Sequence, residues 1–128
     1  MINTVNNLVS IQDTLKNKIK NLKQPTIIAV SKTFPIDHIY PLINHGHEHY
    51  GENKVQEAIE KWPIIKTDFT NIKLHMIGKL QTNKVKNAVK IFDYIHSLDS
   101  FKLADKISNE QLKINKNIKI FIQINIGN

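Results

Sequence analysis

Short apolar runs alternate along this chain with segments whose apolar residues recur at every third or fourth position. The runs have the length and composition of β-strands, and they lie at residues 26–31, 74–77, 94–96 and 118–126, with a weaker strand signal at 47–51. The segments between them, and residues 4–22 before the first run, have the apolar spacing of α-helices. One helix, four β-α units and a fifth strand therefore follow one another. This order predicts an α/β fold with a parallel sheet, either doubly wound or closed into a barrel.

Single residues mark where these predicted elements begin and end. Pro35 suits the first turn of a helix, and Gly46 suits a helix stop. Ser100 is a favourable N-cap, and Pro63 predicts the end of the helix that starts near Val55. The fifth strand is strongly apolar, and no helical segment follows to cover it. We therefore expect a chain that is cut before its sheet is complete.

The composition limits the class of protein. The 128 residues fit one domain, expected to extend over 1–128, with enough length to bury a core. The lack of cysteine excludes disulfides and thiolate metal sites. No apolar stretch approaches the ~18 residues of a membrane span, and the first residues lack the basic and apolar regions of a secretory signal. A cytoplasmic protein without membrane partners is the simplest interpretation.

The net charge of +7 raises the question of a nucleic-acid partner. All 18 basic residues are lysine, beside 22 isoleucines and 15 asparagines, a bias typical of AT-rich coding rather than of selected charge. Without arginine there is no bidentate guanidinium for guanine or phosphate. Five lysines and no acid lie within residues 69–92, and a solvated face is favoured there over a nucleic-acid patch. Together these features argue against nucleic acid.

Histidines alternate at His45, His47 and His49, which would place all three on one face of an extended segment. Imidazole suits zinc, copper or nickel. No acidic or cysteine ligand completes the set, so an adventitious site is favoured over a functional one. We predict no metal.

Polar residues follow the predicted strands, where parallel α/β folds place their sites. Lys32 is the sharpest of them, because it ends an apolar strand where desolvation lowers an amine pKa from about 10.4. A neutral amine can form a Schiff base with an aldehyde. The alternative is a lysine that extends into solvent from a strand end. The pattern alone leaves both interpretations open.

Five motifs occur in order: AVSKT at 29–33, YGENKVQE at 50–57, HMIGKLQTNK at 75–84, IHSLD at 95–99 and QINIG at 123–127. This series resembles the pyridoxal phosphate homeostasis proteins, one-domain relatives of the alanine racemase barrel. The likeness runs from about residue 26 to the last residue. It implies a partial TIM (β/α) barrel of the alanine racemase N-terminal type, with about five of eight strands present.

The resemblance implies pyridoxal 5′-phosphate (PLP) as the cofactor, with Lys32 as the position that forms the Schiff base. It implies that Asn53 and His75 line the pocket, and it implies no catalytic residue. Family members often have Trp and Phe where this chain has Leu74 and Met76, departures that affect packing more than chemistry. They also continue through three more βα units, whose loops hold the cofactor phosphate. The chain is expected to keep the covalent anchor without that phosphate site, which counts against activity.

The implied function is intracellular PLP homeostasis, with PLP held as a lysine Schiff base and no substrate turned over. A PLP-dependent racemase-like enzyme is one alternative. Racemisation needs an acid or base on each face of the α-carbon, and in racemases of this fold the second base comes from a partner subunit with an extra domain. An inactive remnant of a split gene is the other alternative. The open sheet edges predict self-association or a complementing C-terminal half.

Overall fold

The computed structural model describes residues 3–127, which form one parallel sheet and the helices that connect its strands. The strands are β1 (Ala29–Val30), β2 (His49–Glu52), β3 (Lys73–Met76), β4 (Tyr94–Leu98) and β5 (Lys119–Ile122). The helices are α1 (Thr4–Lys18), α2 (Ile36–His45), α3 (Val55–Asp68), α4 (Val85–Ile91) and α5 (Phe101–Lys113), with a 3₁₀ turn at Thr82–Lys84. Every predicted helix and strand is therefore present. In this part of the chain, no helix is long and apolar enough to cross a membrane.

The strands lie side by side in the order in which the chain makes them. All four pairings are parallel, and the sheet order is β1-β2-β3-β4-β5. Right-handed crossovers between successive strands of such a sheet put all connecting helices on the same side. A doubly wound sheet reverses its order at a switch point, and this one does not. The order is that of a partial (β/α) barrel.

The core lies between the sheet and the helices. We call this side of the sheet the helix face, and its buried side chains are Tyr50, Leu74, Met76 and Ile95, each at most 1% exposed. The ring of Tyr50 lies 5.0 Å from that of Trp62 on α3, a contact between the sheet and a helix. Each large apolar side chain buried in this way contributes about 1.5–3 kcal/mol. This face holds the sheet and its helices together.

Both outermost strands are shorter than the sequence predicts. The first was expected over residues 26–31, and only Ala29 and Val30 pair with β2. β2 begins at His49, so the residues before Ile28 have no neighbouring strand to bond. The last was expected over 118–126, but its partner β4 ends at Leu98. The length of the neighbouring strand, and not the apolar run itself, sets each end.

The prediction that Pro63 ends a helix is wrong. α3 continues to Asp68, and Pro63 lies inside it. A proline inside a helix costs ~3 kcal/mol, because a backbone hydrogen bond is lost. Trp62 and Ile65, on either side of Pro63, are 0% and 1% exposed, and their burial offsets that cost. The helix therefore runs through the proline.

Other helix boundaries agree more closely with the sequence. Gly46 ends α2 in the left-handed conformation at φ 102°, and the Ser100 side chain caps α5 by accepting from the N–H of Leu103. Pro35 directly precedes α2. α1 stops at Lys18 rather than near residue 22, and the chain then turns through a left-handed residue, Asn21. The five lysines within residues 69–92 are all exposed, as expected of a solvated surface.

Candidate functional site

The second face of the sheet is mostly polar and aromatic. Because side chains alternate along a strand, it carries the residues that the helix face does not. We call it the open face, and its members are Val30, His49, His75, Tyr94, His96 and Phe121. Val30 and Phe121 are 49% and 52% exposed. Tyr94 and His96 are half-buried, so this face borders the solvent.

Lys32 and Asn53 follow β1 and β2 at the carboxyl ends of the strands. Val30 pairs with Gly51 in the sheet, and the N–H of Ser31 donates to the carbonyl of Gly51 at 2.9 Å. Lys32 lies in the turn after β1, and Asn53 directly follows β2. Lys32 is exposed and Asn53 is half-buried. The structure therefore brings these two predicted site residues to one end of adjacent strands, which we call the carboxyl rim.

The close approach of the next strand fixes Asn53. A Cβ atom at Gly78 would lie 2.6 Å from the Asn53 carbonyl oxygen and 2.8 Å from the Asn53 Cβ. No side chain fits at that distance, so only glycine allows the chain after β3 to pass here. Asn53 is held against the backbone of its neighbour at the rim.

His75 lies below the rim. It pairs with Gly51, which puts it two residues, or roughly 7 Å, closer to the amino ends of the strands than Asn53. Its side chain is 3% exposed. His75 therefore lies on the open face of the sheet itself, whereas Lys32 and Asn53 follow the ends of their strands.

His75 is the middle of a chain of three imidazoles. Its Nε2 lies 2.9 Å from Nδ1 of His49, and its Nδ1 lies 2.8 Å from Nε2 of His96. The ring of Tyr94 stacks on it at 4.2 Å. Burial, with smaller contributions from the two neighbouring histidines, lowers the pKa of His75 to about 4. A neutral ring fits these contacts, because it donates from one nitrogen and accepts at the other.

The expected common face of His45, His47 and His49 is wrong. His45 lies in the last turn of α2, His47 in the following loop and His49 in β2, so the segment is not extended throughout. His49 instead bonds to His75 from a different strand. Within residues 3–127, no group of three or more His, Cys, Asp or Glu side chains is placed to hold a metal ion.

A buried polar cluster lies directly behind Lys32, and the sequence analysis missed it. The Ser31 hydroxyl donates to Oε2 of Glu52 at 2.6 Å. Lys61 of α3 donates to both Glu52 oxygens at 3.2 Å and to the Ser31 carbonyl at 2.6 Å. Ser31, Glu52 and Lys61 are 4%, 0% and 9% exposed. Removing one partner of a buried ion pair costs about 3–5 kcal/mol, because the other charge stays buried.

A second carboxylate holds the residue after Lys32. Both oxygens of Glu57 accept from the N–H of Thr33 at 2.9 Å. This contact, before any other cause, holds the pKa of the Glu57 carboxyl below its usual value. Thr33 has φ 65°, a left-handed conformation that is unusual for a β-branched residue. Lys61 also lies 3.7 Å from Glu57. We call Glu52, Glu57 and Lys61 the clamp.

The sequence contained two signals for this clamp. Glu52 and Glu57 belong to the motif at residues 50–57, and Lys61 follows Glu57 by four residues, the spacing of an ion pair on a helix. Lys61 also lies three residues after Ala58 and four before Ile65, on the buried side of α3. A lysine in that position requires an acidic partner.

Lys32 is the candidate nucleophile at the carboxyl rim. The Lys32 side chain ends in a primary amine, which attacks carbonyl carbons when it is neutral. The clamp fixes the backbone on both sides of Lys32. Asn53, which follows the neighbouring strand, offers an amide that both donates and accepts. The rim is therefore suited to capturing an aldehyde beside a polar group.

This chain is similar in sequence to known proteins, and the similarity covers about half of their length. The chain is 35% identical over 125 residues to the pyridoxal phosphate homeostasis protein of Pasteurella multocida strain Pm70, with 94% of this chain and 54% of that protein covered. It is 39% identical over 118 residues to the protein of the same name from Haemophilus influenzae, with 91% and 49% covered. No family model matches the chain.

Solved structures share the fold. PipY of Synechococcus elongatus PCC7942, 35% identical, matches with a TM-score of 0.83 without PLP and 0.80 with PLP bound. These matches cover 96% and 95% of this chain and 54% of PipY. An alanine racemase of Clostridium difficile 630, 14% identical, matches with a TM-score of 0.65 over 90% of this chain and 30% of its own. The racemase likeness concerns the fold alone, and it confirms a partial (β/α) barrel of the alanine racemase type.

The relatives, the solved structures and the ordered motifs lead to the same family. The fold agrees with that of PipY over more than nine-tenths of this chain. This chain is a relative of the pyridoxal phosphate homeostasis proteins, and it spans about half of their length.

Proposed function

We propose that this chain binds PLP covalently through Lys32 and acts in intracellular PLP homeostasis without turning over a substrate. The observation that carries the proposal is the position of Lys32. Its side chain is exposed at the carboxyl rim, in the turn after β1, and its backbone is fixed by buried side chains. The likeness to PipY, of which a PLP-bound structure is known, supports the same cofactor.

The residues of the rim fit the aldehyde end of PLP. Lys32 would hold the cofactor at that carbon, and Asn53 would bond to a polar group of the ring. When bound, PLP supplies an electron sink. His75, neutral and already bonded to His49 and His96, would form part of the floor below the ring. An amide and a neutral imidazole orient a ligand, and they favour holding over turnover.

The direct test is reductive trapping. The protein is incubated with PLP, reduced with borohydride and digested, and mass spectrometry then locates the adduct. We expect one dominant adduct, on Lys32, because hydrogen bonds to Glu52, Glu57 and Lys61 hold the backbone on both sides of it. Lys32→Ala should abolish that adduct and leave the circular dichroism spectrum unchanged.

Lys79→Ala is the matched control. Lys79 is also exposed and lies just after Gly78 at the rim, so its loss should leave the Lys32 adduct intact. Adducts spread evenly over exposed lysines would refute the proposed site.

We also propose that the edges at β1 and β5 pair with a complementing C-terminal half in the cytoplasm. The chain spans about half of its relatives, and five adjacent strands account for a similar share of an eight-stranded barrel. Beyond the last paired residue, Ile124 and Ile126 are 74% and 95% exposed. Further β-α units would cover these side chains and continue the sheet. Without that half, the exposed edge should lead to self-association.

A further inference from the structure

The Lys32 amine stands at the end of a flexible side chain, and its place depends on its backbone. A lysine side chain is a flexible stem of four carbons, and it loses considerable conformational entropy when it is ordered. Lys32 is exposed, so packing does not hold it. The backbone limits the positions that the amine can reach. The peptide units before and after Lys32 set the direction in which its side chain leaves the backbone.

The peptide unit before Lys32 is held from behind by buried groups. The Ser31 carbonyl accepts from Nζ of Lys61 at 2.6 Å and from the N–H of Phe34 at 3.2 Å. The Ser31 hydroxyl donates to Glu52. Bonds to charged groups are stronger than neutral ones. Ser31 is therefore bonded through its N–H, its carbonyl and its side chain.

The peptide unit after Lys32 is held in a conformation that threonine rarely adopts. Thr33 has φ 65°, and its N–H donates to both oxygens of Glu57 at 2.9 Å. Strained backbone of this kind persists only when the surroundings impose it, and it collects at functional sites. Glu57 imposes it here, and the chain turns sharply just after Lys32.

One cation joins the two supports. Lys61 bonds to Glu52 and to the Ser31 carbonyl, and it lies 3.7 Å from Glu57. Loss of Lys61 would leave Glu52 buried without a cation, and loss of Glu57 would free Thr33. The two sides of Lys32 are thus coupled through a single side chain on α3.

We propose that Glu57 and Lys61, together with Glu52, are positioning residues for Lys32: they fix the peptide units on both sides of it, so that its amine leaves the rim in one direction. This proposal rests on the proposed function of Lys32. A purely structural clamp, one that only attaches β1 to α3, is the competing explanation. The two explanations predict different amounts of Lys32 adduct when the backbone strain at Thr33 is removed without loss of stability.

The Thr33→Gly variant distinguishes these two explanations. Glycine adopts positive φ without strain, so the variant should melt at a temperature no lower than the wild type. It also widens the conformations open to residue 33, and so the directions open to the Lys32 side chain. We expect the Lys32 share of borohydride-trapped PLP adduct to fall about fivefold, a modest part of what misplacement of a reacting group can cost. An unchanged share would overturn the proposal.

Variants of Glu57 test the contact itself. Glu57→Ala removes the acceptor, and we expect about a tenfold fall in the Lys32 adduct, in the range for a lost bond to a charged group. Glu57→Gln keeps one acceptor oxygen and should restore most of the adduct. Glu60→Ala is the control, because Glu60 lies on the same helix and bonds only to Gln56. Equal adduct in Glu57→Ala and Glu60→Ala would overturn the proposal.

Two measurements without PLP keep this test separate from the proposed function. Amide hydrogen exchange at Thr33 should accelerate in Glu57→Ala, because its N–H loses its acceptor. The reactivity of Lys32 towards a small acylating reagent, relative to the other lysines, should change in Thr33→Gly and in Glu57→Ala. If wild-type Lys32 captures no PLP, the proposed function fails. If Lys32 captures PLP and neither variant alters its reactivity, only the positioning role fails.

Discussion

The two faces of the sheet differ in composition and in what covers them. On the helix face, Tyr50, Leu74 and Ile95 are completely buried against α-helices. On the open face, histidines and aromatic rings stand beside Val30 and Phe121, which are about half exposed. The same strands supply both faces, because neighbouring side chains point to opposite sides.

This difference separates the residues that fold the chain from those available for chemistry. Apolar burial, which drives folding, is concentrated on the helix face. The open face and its rim carry an amine, an amide and three linked imidazoles. A half-exposed face of this kind tolerates polar groups that the helix face could hold only in pairs, as Glu52 and Lys61 are held.

The largest expected effect tests this division by truncation. Leu74→Ala should destabilise the protein by about 2–5 kcal/mol, because it leaves a cavity in a tightly packed core. Phe121→Ala, on the open face, should cost about 1 kcal/mol or less, because the half-exposed ring gives up less buried area. Urea unfolding measures both. Equal losses would mean that the open face contributes to folding as much as the helix face does.

A second effect comes from His75, the most buried histidine of the open face. Unfolded, it takes up a proton near pH 6.5, whereas folded it stays neutral down to about pH 4. Between these values the unfolded state binds more protons, so stability falls as the pH drops through this window. At about 1.4 kcal/mol for each pH unit, the free energy of unfolding falls by about 3 kcal/mol over this window.

Unfolding measured at several pH values between 7 and 4 checks this expectation. His75→Gln, which cannot titrate at this position, should make the dependence less steep; His49 and His96, whose pKa values burial also lowers, account for what remains. A slope that is equally steep in that variant would assign the effect to other groups, and the open face would then be less sensitive to protons than the structure implies.

The smallest effect concerns the edge of the open face. We expect the isolated chain to self-associate through β5, and Ile122→Lys should raise the concentration at which it does so about tenfold, because lysine opposes strand pairing. Ile64→Lys on α3 is the control, since Ile64 and Ile122 are 75% and 72% exposed. Size-exclusion chromatography with light scattering over a concentration series provides the measurement.

Two outcomes would contradict self-association through β5. A monodisperse, cooperatively melting monomer at all concentrations would show that β5 needs no partner. Equal shifts in the two variants would show that the added charge acts on solubility in general rather than on strand pairing.

Much of the fold could be predicted because its signal is local. Most strands lie in short segments with strand-like residues and each helix has its own period, so the number and order of elements follow from local sequence. Strand ends depend on a neighbour's length, which is why β1 and β5 were overestimated. Pro63 was misjudged because the buried contacts of Trp62 and Ile65, distant in sequence from their partners, outweigh a local rule.

In the candidate site, only the residues that follow the ends of strands could be predicted from the sequence. Lys32 and Asn53 both follow strands at the rim, because parallel strands end at one edge. The clamp was missed because it depends on side-chain directions, with Lys61 nine residues from Glu52. The bonds of His75 to His49 and His96 likewise depend on the register of three strands.

The order of the strands also bears on how such a chain is made. Each strand pairs with the one that the chain completed just before it, separated by a single helix. A polypeptide that emerges from the ribosome can therefore dock each β-α unit as soon as it is synthesised, with no need to wait for distant segments. The sheet can grow one unit at a time from its first strand, in the direction of translation.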